Sequence, residues 1–98
     1  MVHENPQSFF RGGASVVAQP DDYRVKNGLV QTTHGVSVSS NAEKVRRWGI
    51  YRVVQIPPQL QVKQRGRDSE HFEIVPTTPM SVEDYQSALA RVVLELAE

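Results

Sequence analysis

The stretch Ile50-Tyr51-Arg52-Val53-Val54-Gln55-Ile56-Pro57-Pro58-Gln59-Leu60-Gln61-Val62-Lys63-Gln64-Arg65-Gly66-Arg67-Asp68-Ser69-Glu70-His71-Phe72-Glu73-Ile74-Val75 decides the fold class. Its first seven residues are rich in β-branched and aromatic side chains and stop at two prolines, which have no amide hydrogens for a ladder, so Ile50 to Ile56 reads as a strand. Leu60, Val62 and Gln64 then alternate with Gln61, Lys63 and Arg65, the period of a second strand. Arg65-Gly66-Arg67-Asp68 supplies turn residues, and Glu70 to Val75 is a third strand.

On the C-terminal side, Val82, Tyr85, Leu89, Val92, Val93 and Leu96 recur at helical spacing, with Glu83, Gln86, Arg91 and Glu95 largely between them. This pattern predicts an amphipathic helix from Ser81 to about Ala97, with Ser81 as N-cap and Asp84 in the first turn. On the N-terminal side, Ser40 or Asn41 as cap, Glu43 in the capping-box position and Gly49 as terminator predict a shorter helix with an exposed basic side, Lys44, Arg46 and Arg47. Further upstream, Ser8 to Arg11, Ala14 to Gln19 and Gly35 to Ser39 are short strand candidates, separated by Gly12-Gly13 and by the loops Pro20-Asp21-Asp22 and Lys26-Asn27-Gly28. Mixed strands and helices without repeat or linker predict one α+β domain over residues 1–98.

Composition narrows the function classes. Eleven basic and eleven acidic residues cancel, so no global field holds a polyanion. The absence of cysteine excludes a disulfide framework, a thiolate zinc site and a cysteine nucleophile. No apolar run approaches the roughly 20 residues of a membrane helix, and the first seven residues lack the basic and apolar regions of an export signal. The expected location is therefore cytoplasmic, in the producing or the target cell, with no membrane partner.

Several common enzyme signatures are missing, among them the P-loop, the Gly-x-Gly-x-x-Gly fingerprint and the His-Glu-x-x-His helix. Gly35-Val36-Ser37-Val38-Ser39 begins like a nucleophile elbow, but Ser39 replaces the second glycine. His3, His34 and His71 lack ligand spacing, so no metal is expected.

Three separated strand pieces carry polar groups in apolar surroundings: Phe9-Phe10-Arg11, His34-Gly35-Val36-Ser37-Val38-Ser39 and Glu70-His71-Phe72-Glu73-Ile74-Val75-Pro76. Alternation puts His71, Glu73 and Val75 on one face and Phe72 and Ile74 on the other. If Phe72 and Ile74 face the core, His71 and Glu73 project together, into a cleft or simply into solvent. Arg11 precedes two glycines, which leave room for its guanidinium to meet a backbone or a phosphate; a surface arginine at a strand end is the plain alternative.

The order and wording of these pieces resemble the ADP-ribosyltransferase-like toxins, and more narrowly the small cytotoxic effectors of bacterial type VI secretion with that fold. The resemblance runs from Gly35 to Met80. It includes Gly-x-Ser-Val, the pair Arg46-Arg47, the unusual run Ile56-Pro57-Pro58-Gln59-Leu60-Gln61-Val62-Lys63-Gln64, and His71-Phe72-x-Ile74-x-Pro76-x-x-Pro79-Met80. It implies an ADP-ribosyltransferase-like α+β fold: two small antiparallel sheets forming an NAD-binding cleft, a short middle helix and a C-terminal amphipathic helix. It also implies transfer of ADP-ribose from NAD to a macromolecular target, and a neutralising antitoxin or immunity protein as partner. Arg11 then holds the NAD phosphate or ribose. Ser37 and Ser39 belong to the cofactor-binding set, with Ser37 on the nicotinamide-side ribose or supporting the acid. Glu73 is the catalytic carboxylate that stabilises positive charge as the nicotinamide bond breaks. His71 stands where related transferases carry the Gln or Glu that positions the acceptor. The motifs also depart from the family pattern: the middle one reads Ser37-Val38-Ser39 rather than Ser-Thr-Ser, and the late one is His71-Phe72-Glu73.

Two other readings stay open on sequence alone. One is a metal-independent RNA-cleaving toxin with His71 and Glu73 as acid and base and Lys63, Arg65 and Arg67 on phosphate. The other is a non-catalytic protein-binding module docking through the C-terminal helix or the strand edges.

Overall fold

A computed structural model describes residues 8–97. Residues 1–7, which include His3 and the region searched for an export signal, lie outside the described residues, as does Glu98. In chain order the elements are β1 (Phe10–Gly12), β2 (Val25–Lys26), β3 (Leu29–Val30), β4 (Val36–Ser39), a 3-10 helix (Ala42–Trp48), β5 (Ile50–Gln55), β6 (Leu60–Gln64), β7 (His71–Pro76), α1 (Val82–Leu89) and β8 (Val93–Leu96). The three strands read from the opening stretch are present, and the architecture is α+β. None of the described helices is long and apolar enough to cross a membrane.

Six strands form one sheet in the order β6-β7-β4-β1-β5-β8, and β2-β3 make a separate two-stranded ribbon. Every pairing in the larger sheet is antiparallel. The middle of that sheet is its thinnest joint. Whereas β4 pairs with β7 from Val36↔Ile74 to Ser39↔His71, it pairs with β1 at one position, Phe10↔Ser39. The expected pair of small sheets is thus replaced by one continuous six-stranded sheet, whose three-stranded halves, β6-β7-β4 and β1-β5-β8, are joined at this single pair.

The core lies against the first half. Val36, Val38, Leu60 and Ile74 from the strands pack with Val30 and with Tyr85, Ala88 and Leu89 of α1. Ser81 caps that helix by accepting a hydrogen bond from the Asp84 amide at 3.0 Å, as its sequence predicts. The helix is shorter than expected. It ends at Leu89, and the chain turns into β8, which pairs with β5 from Gln55↔Val93 to Tyr51↔Leu96. The spacing of Val92, Val93 and Leu96 mimics a helical stripe, but β-branched residues fit a strand better, and β5 offers an open edge. Val93 and Leu96 consequently face solvent, at 47% and 60% exposure, rather than the core.

Other boundaries move too. Lys26, expected in a loop, ends β2, and only Asn27-Gly28 is left as the turn to β3. The middle helix is a 3-10 helix whose N-cap is Asn41, its Oδ1 accepting from the Glu43 amide, while the Glu43 carboxylate turns to Arg46 and completes no capping box. The first strand starts at Phe10 and runs into Gly12. Ala14 to Gln19 forms no strand: buried Val16 and Ala18 alternate with exposed Val17, but the Ala18 backbone pairs with the Gln86 side-chain amide through both its N–H and its C=O. A side chain has taken the place of a neighbouring strand.

Candidate active site

The cleft opens where the two half-sheets meet. It encloses about 430 Å³, within the usual range for small-molecule sites of about 300 to 1,000 Å³. Arg11 and Gly12 enter it from β1, Ser37 and Ser39 from β4, and His71 from β7. The β4–β7 register accounts for part of the convergence, since Ser39 lies opposite His71 and their side chains come to neighbouring positions. Arg11, one residue past the Phe10 that pairs with Ser39, is brought in by the bond from its guanidinium to the Ser37 carbonyl. The 3-10 helix adds Lys44, Val45 and Trp48, and the β6–β7 turn adds Asp68.

Arg11 is fixed by its own neighbourhood. Its Nη1 donates to the Ser37 carbonyl at 2.8 Å and its Nε to the Ser15 carbonyl at 3.3 Å, so the guanidinium spans the joint between the half-sheets. Burial lowers its pKa from the ordinary value, with the charge of Asp22 opposing the shift. An arginine held in this way remains cationic and keeps free N–H donors for an anion. Ser37 is exposed, whereas Ser39 is buried and its Oγ accepts from the Asn41 amide at 3.0 Å.

Glu73 does not reach the cleft. It is only 2% exposed, and both carboxylate oxygens are engaged. Oε1 accepts from the Gly35 amide at 2.9 Å; Oε2 accepts from Arg65 Nη2 at 2.7 Å and Nε at 3.0 Å, and lies 2.7 Å from His71 Nε2. Burial alone would raise its pKa, but the hydrogen bonds from Arg65, His71 and Gly35 outweigh that and hold it below the usual carboxylate value. His71 therefore stands between the cleft and a buried carboxylate anion. Gly35 is essential to this packing, because a Cβ there would lie 2.0 Å from the Ile74 carbonyl oxygen and 2.5 Å from the Tyr85 hydroxyl.

The structure thus brings together four of the sequence-selected residues, Arg11, Ser37, Ser39 and His71, and places the fifth, Glu73, directly behind His71. Sequence reasoning missed Trp48, Lys44, Asp68 and the part played by Arg65. Trp48 had a usable signal, as the chain's one tryptophan and the residue just before the helix-ending Gly49. In the structure it is 58% exposed and packs against Gly12, where an added Cβ would lie 3.0 Å from Trp48 Cε3. The Arg47 guanidinium lies 4.9 Å over its ring. Among the described residues, no cluster of His, Asp or Glu has the makings of a metal site.

Residues 2–97 match a family model described as the Tse2 ADP-ribosyltransferase toxin. The chain belongs to that family, and it is a bacterial toxin with ADP-ribosyltransferase-like activity. Toxins of this class use NAD as substrate and act on a macromolecular target. No curated protein and no solved structure matches the chain. Neither the RNA-cleaving nor the protein-docking alternative is favoured by the match.

Proposed function

We propose that the cleft between the half-sheets binds NAD and that His71 and Glu73 carry the transfer step. The observation that carries this reading is the convergence of Arg11, Ser37, Ser39 and His71 on one cavity of suitable size. Arg11 meets the pyrophosphate with the donors that its two backbone bonds leave free. Ser37, exposed at the joint, hydrogen-bonds a ribose hydroxyl, and Ser39 shapes the wall beside it. Cleavage of the nicotinamide bond develops positive charge on the ribose, and a preorganised anion near the cleft stabilises that charge. Glu73 is that anion at one remove: His71 stands between it and the cleft and Arg65 shares its charge, so it acts chiefly by holding the imidazole at Nε2 and leaving Nδ1 to substrate and acceptor. This second role fits the position where related transferases hold the group that orients the acceptor. Residues 1–98 act as one domain in this scheme. The acceptor is a macromolecule inside the affected cell, the chain is delivered as a type VI effector, and a neutralising immunity protein protects the producer.

The test is NAD consumption and label transfer by the unaltered chain, Glu73→Gln and His71→Ala, each checked by circular dichroism. Both variants should keep the native spectrum and lose activity by at least about a hundredfold, the usual scale for a positioned acid–base or charge-stabilising group. A folded Glu73→Gln with undiminished activity would remove Glu73 from the chemistry.

A further inference from the structure

Lys44 of the 3-10 helix and Asp68 of the β6–β7 turn both line the cleft. Lys44 Nζ donates to Asp68 Oδ2 at 2.6 Å and lies 3.1 Å from Glu70 Oε1, so one ammonium ties two elements of the cleft wall together. A dinucleotide brings two negative charges on its pyrophosphate. Arg11 can neutralise one, and two of its N–H groups are already committed to backbone carbonyls. Among the described residues, the other cation lining the cleft is Lys44.

Its present partners do not depend on it. Asp68 Oδ1 accepts from the Glu70 amide at 2.9 Å, and Glu70 Oε1 accepts from Asn41 Nδ2 at 3.3 Å, so both acids keep a hydrogen bond when Lys44 leaves. The Lys44 and Asp68 side chains are 43% and 47% exposed, and ion pairs this accessible to water contribute little to stability. The lysine stem is long and flexible enough to swing towards an incoming phosphate.

Building on the NAD reading above, we infer that Lys44 is a second pyrophosphate-binding residue, held by Asp68 and Glu70 until the dinucleotide enters and then exchanged onto it. Asp68 is then a built-in competitor that sets the affinity. A purely structural staple behaves differently: cutting it from either end disturbs the cleft in the same direction, whereas exchange makes the two ends act in opposite directions.

Isothermal titration with NAD separates these possibilities, using the unaltered chain, Arg11→Ala, Lys44→Gln, Lys44→Arg, Asp68→Asn and the Lys44→Gln/Asp68→Asn double variant, each checked for folding by thermal denaturation. Exchange requires Lys44→Gln to weaken binding by about tenfold or more, the scale of one charge-assisted hydrogen bond, and Lys44→Arg to retain most of it. Asp68→Asn should tighten binding severalfold, and that gain should disappear in the double variant. Equal affinity in Lys44→Gln and the unaltered chain, or weaker binding in Asp68→Asn, overturns the inference. If Lys44→Gln does not fold, Asp68→Asn decides: tighter binding supports exchange, and equal or weaker binding overturns it. NAD that fails to bind the unaltered chain overturns the cleft reading and this inference with it. Binding that needs Arg11 but is indifferent to Lys44 overturns this inference alone.

Discussion

The two halves of the central sheet are built to different standards. In β6-β7-β4, strand residues reach complete burial on the helix side, and the opposite side holds a buried carboxylate with every oxygen bonded. Even a ladder position is finished by a side chain: the Tyr85 hydroxyl accepts from the Val36 amide at 3.2 Å and donates to the Ile74 carbonyl at 2.6 Å, between two residues that face each other in the register. In β1-β5-β8, by contrast, Val54, Val93 and Leu96 are exposed, and the Arg52–Glu95 ion pair lies open to water. One half is a well-buried platform, and the other closes the far wall of the cleft with Ile50 buried, Val53 and Leu94 packed on the core, and the rest of its apolar residues largely open to water. The site lies on the boundary, where a single paired position leaves room between strands without unravelling either half.

This contrast can be broken most forcefully at Gly35. Gly35→Ala drives a methyl into the Ile74 carbonyl and the Tyr85 hydroxyl, so a loss of about 3 kcal/mol or more is expected, read by urea denaturation. Tyr85→Phe leaves the Val36 amide and the Ile74 carbonyl without their bridge and should cost about 1 to 3 kcal/mol in the same assay.

Acidity probes the same platform without mutation. Because the folded state holds the Glu73 pKa below its ordinary 4.5, the stability it contributes is complete above that value and is lost as the pH falls through the lower folded one. Burial pushes the Tyr85 hydroxyl the other way, from 10.0 up to about 12, so its contribution is complete below pH 10 and is lost as the pH rises towards 12. Denaturation curves across pH should show both flanks. Glu73→Gln should flatten the acid one and Tyr85→Phe the alkaline one.

The smallest effects belong to the open half. Leu96→Ser and Arg52→Ala should each change stability by no more than about 0.5 kcal/mol, since neither residue is buried or part of an enclosed network. A loss from Leu96→Ser comparable to that from Tyr85→Phe would show that the two halves are not built differently after all.

Much of the platform was legible in the sequence because its signals are local. Two prolines stand just ahead of β6, alternation marks that strand, a glycine turn joins it to β7, and Ser81 caps α1. The end of α1 was not legible: Val92, Val93 and Leu96 fit helical spacing, Val92, Leu94 and Leu96 fit strand alternation, and the unfilled edge of β5 decides between them. The candidate site was readable as residues but not as geometry. Arg11, Ser37, Ser39 and His71 stood out as polar groups on strands, whereas the burial of Glu73 depends on Arg65, eight positions away across a hairpin, and on the Gly35 amide. Lys44 read as part of the exposed side of a helix and Trp48 carried no reading of its own; the packing of Trp48 against Gly12 places that helix beside the cleft.

Trp48 also supplies the most direct test of the cleft as the NAD site. As the chain's one tryptophan, it reports on this cavity without a label. Titration with NAD should give a saturable change in its fluorescence, and Arg11→Ala, folded by circular dichroism, should shift that curve to concentrations at least about tenfold higher. A flat titration, or curves that coincide for the two proteins, would contradict the assignment.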